Sequence, residues 1–165
     1  VSEVFSELFD RELFKKNLIE KFNEQFTQEE WEFALVDGLR RLFPFYQVER
    51  VGGPEEQAHG TDILVVMPGL FSDRNYAIAI QVKDYEGFVG GGVLDQIRKA
   101  DGYWEEQNDY KLVDKWVIIT RGPREANAAL REAAGEDVKL MFAEDLADLL
   151  RDIGRAALPS FRTGE

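Results

Sequence analysis

The chain has 165 residues, 44% of them apolar, which suits one domain with a buried core, and it has no run near the roughly 18 apolar residues of a membrane span. It has no cysteine and a single histidine, His59, which excludes disulfides, thiolate zinc sites, cysteine nucleophiles and multi-histidine metal centres. Any metal must be held by carboxylates and carbonyls, as Mg²⁺ or Mn²⁺ is, and a net charge of −12 argues against non-specific nucleic-acid binding as the main role.

The first segment, about 3–26, places Val4, Phe5, Leu8, Phe9, Leu13, Leu18, Ile19, Phe22 and Phe26 at mostly helical spacing. Charge in every turn sets it apart from a signal peptide, and with the absence of cysteine this suggests a cytoplasmic protein. The missing initial Met suggests a trimmed or processed chain. Thr27 with Glu30 three residues later predicts a capping box opening a second helix at about 28–43, and Pro44 ends it. At about 100° per residue, Glu32 falls inside the apolar arc of Trp31, Leu35, Val36, Leu39, Leu42 and Phe43. A carboxylate there is paired, hydrogen-bonded or metal-bound, or else it is a first-turn acid reaching water and favoured by the helix dipole.

Three short β-rich runs follow, at Tyr46–Val51, Thr61–Met67 and Tyr76–Lys83, separated by loop-like GGPEEQAHG and PGLFSDRN. In the third run alternation puts Tyr76, Ile78, Ile80 and Val82 on one face and Ala77, Ala79, Gln81 and Lys83 on the other. Two alanines beside an amide and an ammonium leave room for a ligand, although a solvated strand face would read the same way. Asp62 stands at the mouth of the preceding strand, where it is either an end cap or a polar group brought against Gln81 and Lys83.

His59, three residues before Asp62, is a candidate general base, though a lone histidine in a polar loop is more often simply exposed. Glu55 and Glu56 in the same loop are candidates for a second metal site. The run Gly90–Gly92, with Gly91 at its centre, either leads into a helix or lets backbone amides approach a phosphate. Val93, Leu94, Ile97, Ala100, Tyr103 and Trp104 mark that amphipathic helix, with Tyr103 and Trp104 as core or interface residues. A strand at Trp116–Ile119, a helix at about 123–134, a strand at 138–142 and a helix at 144–153 complete the chain. The order α-α-β-β-β-α-β-α-β-α predicts an α/β fold with a mixed sheet and helices on both faces. It divides into an N-terminal helical extension over 1–27, a main domain over 28–153 and a loose tail over 154–165.

The runs GTDILVV and YAIAIQVKDY resemble the Asp…Gln-x-Lys core of Mrr-type restriction endonucleases, a branch of the PD-(D/E)XK nuclease superfamily in which Gln often replaces the middle acid. TQEEWEFALVDGLRRLFPF resembles that family's leading helix, whose glutamate matches Glu32. Gly52-Gly53 resembles the loop before the aspartate. LDQIRKADGY is similar to the helix after the lysine, with Gln96 matching a frequent glutamine, and KWVIITRGPREANAAL to the next strand and helix, with Thr120 at the strand end. The resemblance covers about 28–153. It departs from the family at Asp84, where a basic residue is usual, in the lack of a basic winged-helix module and in the acidic overall charge.

The resemblance implies a restriction-endonuclease-like fold and Mg²⁺-dependent hydrolysis of DNA phosphodiester bonds, with Mn²⁺ as a substitute, in restriction or phage defence. It implies catalytic roles for Asp62, Gln81, Lys83 and Glu32. Asp62, the Gln81 side-chain oxygen, the Val82 carbonyl and Glu32 would be metal ligands, and Gln96, Thr120 and Gly91 would face substrate. DNA is the implied partner, read by a homodimer or with a separate DNA-specificity module. The competing expectation is a catalytically silent or regulatory module on the same fold that binds a partner protein or a nucleic-acid end.

Overall fold

In the computed structural model, residues 17, 19–21, 23–52, 60–69, 73–87, 89–107 and 110–162 are described. His59, Glu55, Glu56, Gly53 and most of the N-terminal extension lie outside them. Backbone at 17, 19–21 and 23–25 is helical.

Helix α1, Gln28–Leu42, begins as its sequence dictates. The Thr27 hydroxyl accepts from the Glu30 N–H at 3.3 Å, and Glu30 Oε2 accepts from the Thr27 N–H at 2.7 Å. Its apolar stripe, Trp31, Leu35, Val36 and Leu39, is buried against the sheet, and Glu32 is buried with it.

Among the described residues five strands form one sheet in chain order: β1 Gln47–Arg50, β2 Ile63–Met67, β3 Asn75–Glu86, β4 Tyr110–Arg121 and β5 Lys139–Met141. The pairs β1/β2 and β2/β3 are antiparallel, while β3/β4 and β4/β5 are parallel. The parallel pairs need crossovers. These are supplied by α2, Gly92–Arg98, and by α3, Ala128–Ala134. Helix α4 spans Ala143–Arg162.

Each face of the sheet has its own core. Leu64, Val66, Ala77, Ala79, Val117 and Ile119 pack with Val93, Leu94 and Ile97 of α2 and with Leu130 and Ala134 of α3. Ile63, Val65, Ile80, Val82 and Ile118 pack with α1 and with Leu146 and Ala147 of α4. The expected α/β arrangement with helices on both faces is the one observed.

Several boundaries move, for tertiary reasons. Strand β4 starts at Tyr110 rather than Trp116, because its polar first half pairs with β3 along one side only. Asp114 there accepts from the Trp116 indole at 2.8 Å, and Lys115 reaches Asp101 at 2.5 Å. The helix expected over Val93–Trp104 breaks after α2 into a turn at Ala100–Gly102 and a π-helical turn at Tyr103–Gln107. Trp104 of that turn is buried, as expected, and donates its indole N–H to the Thr61 hydroxyl at 3.0 Å. Backbone expected to be a loose tail from 154 is helical to Arg162.

Asn127 holds the loop after β3. Its Oδ1 accepts from the Val89 N–H at 2.8 Å, and its Nδ2 donates to the carbonyls of Gly87 and Pro123, both at 2.8 Å.

Candidate active site

Asp62 and Gln81 face each other across two antiparallel strands. The ladder pairs Ile63 with Ile80, so the next step outward sets Asp62 opposite Gln81. Both follow the parity of Leu64, Ala77 and Ala79 and lie on the α2 face of the sheet. The backbone fixes Asp62 closely. Its N–H donates to the Ile80 carbonyl at 2.9 Å, and its carbonyl accepts from the Val51 N–H at 2.9 Å. Its Oδ2 accepts from the Val82 N–H at 2.7 Å.

Burial is the largest influence on the Asp62 carboxyl and pushes its pKa up from 3.8 to about 6. The Val82 hydrogen bond opposes this, the Glu32 charge adds to it, and the Lys83 and Arg50 charges oppose it. A carboxylate held at such cost is a usual mark of a functional site.

Gln81 is buried, and its Nε2 donates to Gln96 Oε1 at 2.9 Å. Its Oε1 is buried with no hydrogen-bond partner among the described residues. An orphaned buried acceptor is rare in folded proteins. One placed beside a buried carboxylate suits a cation. Gln96 thus orients the Gln81 amide, and Gly60 lets it do so. Gly60 has φ +69°, and a Cβ there would lie 2.5 Å from the Gln96 carbonyl carbon, so glycine allows α2 to close over β2.

Lys83 is half-buried, with Nζ 5.8 Å from the centre of the Tyr85 ring. Glu32, on α1, lies near enough for its charge to act on Asp62. Its Oε2 accepts from Arg50 Nε at 2.9 Å, and a Cβ on Gly52 would lie 3.8 Å from the same oxygen. Among the described residues no three Asp, Glu or His side chains converge on one point. A cation here would therefore rely on Asp62, Glu32 and the neutral Gln81 oxygen, a donor set that fits a hard divalent ion. For Val82 the structure shows the N–H donated to Asp62 and the side chain buried in the α1-side core.

Gly91 is exposed at the start of α2, with open space where a Cβ would stand. Thr120 is wholly buried, and its hydroxyl donates to Asp84 Oδ1 at 2.5 Å. It therefore props Asp84 rather than presenting a donor to substrate. Thr120→Val is expected to destabilise the fold by about 1.5–3 kcal/mol, the usual range for a hydrogen bond to a charged group. It should leave DNA cleavage unchanged, with urea unfolding and a cleavage assay as the checks.

Asp84 also accepts from Arg121 Nε at 2.8 Å, and Arg121 Nη2 donates to the Asn23 carbonyl at 3.1 Å. The acidic residue after the motif lysine is thus a strut joining β3, β4 and the N-terminal helical backbone. Neither that strut nor Arg50 carries a local signature in the sequence, because their partners stand 18 to 98 residues away.

No family model matches the chain, and no curated protein matches it. Solved structures do. DNA modification-dependent restriction endonuclease AspBHI aligns with 86% of this chain and 36% of its own, at 18% identity and a TM-score of 0.53. Restriction endonuclease FokI aligns with 81% of this chain and 25% of its own, at 12% identity and a TM-score of 0.50. The chain thus spans about a third or less of the proteins it resembles. At these identities the likeness is one of fold: a restriction-endonuclease-like α/β domain with a mixed five-stranded sheet.

Proposed function

We propose that the chain is the cleavage domain of a Mg²⁺-dependent DNA endonuclease of Mrr type. The observation that carries this reading is the orphaned Gln81 Oε1, buried on the same sheet face as Asp62. Asp62, Gln81 and Glu32 would hold the cation, which would supply positive charge beside the scissile phosphate. Lys83 would orient the attacking water and balance charge building on the phosphate oxygens as the bond to the leaving sugar oxygen breaks. Gln96 keeps the Gln81 oxygen turned for this task by engaging the amide nitrogen. Recognition of bases would fall to a separate specificity module or to a second copy of the chain.

Incubation with plasmid, linear and single-stranded DNA, and RNA, with Mg²⁺, Mn²⁺ or EDTA, tests the reading. Cleavage of DNA that EDTA abolishes is expected. The second reading, a silent module on the same fold, is favoured by the Arg50 cation already paired with Glu32 and by the net charge of −12. DNA or protein binding without cleavage under any metal would establish it.

Gln81→Glu adds a charge where the proposed cation sits, and places three acids together when no cation is bound. The expected outcome is lower stability in EDTA and a larger rise in melting temperature on adding Mg²⁺ than in the wild type. An equal rise in both proteins would remove residue 81 from the ligand set.

A further inference from the structure

Glu32 is a candidate ligand that already has a cation on it. Its side chain is 7% exposed, and Arg50 Nε meets Oε2 at 2.9 Å. Arg50 belongs to the same corner as Asp62: it pairs with Ile63 across the ladder, and the N–H of the next residue, Val51, donates to the Asp62 carbonyl. We propose that Arg50 is a built-in counter-ion that competes with the divalent cation for Glu32, so that the Arg50–Glu32 pair and a metal-loaded Glu32 exclude one another. This rests on the nuclease reading of the site.

The two partners are unequally dependent on each other. Two carboxylates buried in one corner repel unless a cation lies between them. Among the described residues Arg50 is the cation hydrogen-bonded to Glu32. Arg50 has alternatives: Nη2 meets Glu29 Oε1 at 3.2 Å, and the guanidinium carbon lies 4.5 Å from the centre of the Phe33 ring. Glu29 and Phe33 are both exposed, so a displaced Arg50 can stay on the outer face of α1 without being stranded. Arg50 is thus a positioning residue that keeps Glu32 buried and in place before a metal arrives. By reciprocity, if metal binding breaks the pair, the pair weakens metal binding by the same factor.

The test uses the wild type, Arg50→Met, Glu32→Gln and the double variant. Mn²⁺ affinity is measured by calorimetry without DNA, and urea unfolding is followed in EDTA and in saturating Mn²⁺. Arg50→Met is expected to bind Mn²⁺ roughly 5- to 150-fold tighter, the span typical of coupled sites. The double variant should bind no tighter than Glu32→Gln. Coupling between positions 50 and 32 in unfolding should be present in EDTA and vanish with Mn²⁺. Should Arg50→Met be unfolded without metal, refolding on Mn²⁺ is the expected result.

Equal or weaker Mn²⁺ binding by Arg50→Met, or its failure to refold on Mn²⁺, overturns the competition. So does an equal gain in the Glu32→Gln background, which would show only the loss of a nearby positive charge. If the wild type binds Mn²⁺ and Asp62→Asn does not, while Arg50→Met matches the wild type, the competition fails and the metal site stands. If no protein binds Mn²⁺ and the coupling ignores it, both fall together.

Discussion

Cleavage by Lys83→Ala is expected to fall about 10²–10³-fold or more, the usual cost of removing one transition-state charge donor, while the fold survives. The lysine is half-buried on the strand face that carries Ala77, Ala79 and Gln81, and its Nζ rests near the exposed Tyr85 ring. Losing a cation–π contact at such a site costs roughly 0.5–1 kcal/mol, too little to unfold the domain. Removing the ammonium also removes one of the charges that restrain the Asp62 pKa, so the acidic limb of the pH–rate profile should move to higher pH. In a binding module the same change would cost about one phosphate contact, read as roughly one unit of salt slope. Melting temperature, DNA affinity across salt and cleavage rate separate these cases, and unchanged cleavage would remove Lys83 from the mechanism.

Asp62→Asn is expected to abolish cleavage and metal binding and, in EDTA at neutral pH, to make the protein more stable. The carboxyl has a pKa of about 6 in the fold against 3.8 as a free side chain, so between those values the folded protein binds more protons than the unfolded chain. Stability from this group is therefore highest below about pH 4 and is lost as pH rises through about 6. Complete loss amounts to about 3 kcal/mol, at 1.36 kcal/mol per pKa unit. Asparagine keeps an acceptor for the Val82 N–H and carries no charge, so it escapes that penalty. A gain of about 6–12 °C in melting temperature at pH 8 follows for a domain of this size, shrinking towards pH 5. Saturating Mg²⁺ should reverse the order by stabilising the wild type alone. A variant less stable than the wild type at pH 8 in EDTA would show that the buried carboxylate is held favourably rather than at a cost. Stability gained by neutralising a site residue is the trade expected of functional sites.

Features set by nearest neighbours along the chain are legible in the amino-acid sequence by itself. The Thr27–Glu30 box marks the start of α1 because both of its hydrogen bonds close within three residues. Alternation along Tyr76–Lys83 already separates Gln81 from Ile80 and Val82, because a strand has a fixed period of two. Glu32 stands out as an acid on an apolar stripe for the same kind of reason, the helical period. Other features are settled by packing, which joins residues that no local pattern connects. Arg50 meets Glu32 across 18 residues, Gln96 meets Gln81 across 15, and Thr120 and Arg121 meet Asp84 across 36 and 37. The polar first half of β4 reads as a loop until β3 lies alongside it and supplies its hydrogen bonds. The raised pKa of Asp62 belongs with these packed features as well. Its identity and strand position are written in the chain, but the shift comes mainly from loss of water, which happens only when the folded chain buries the carboxylate.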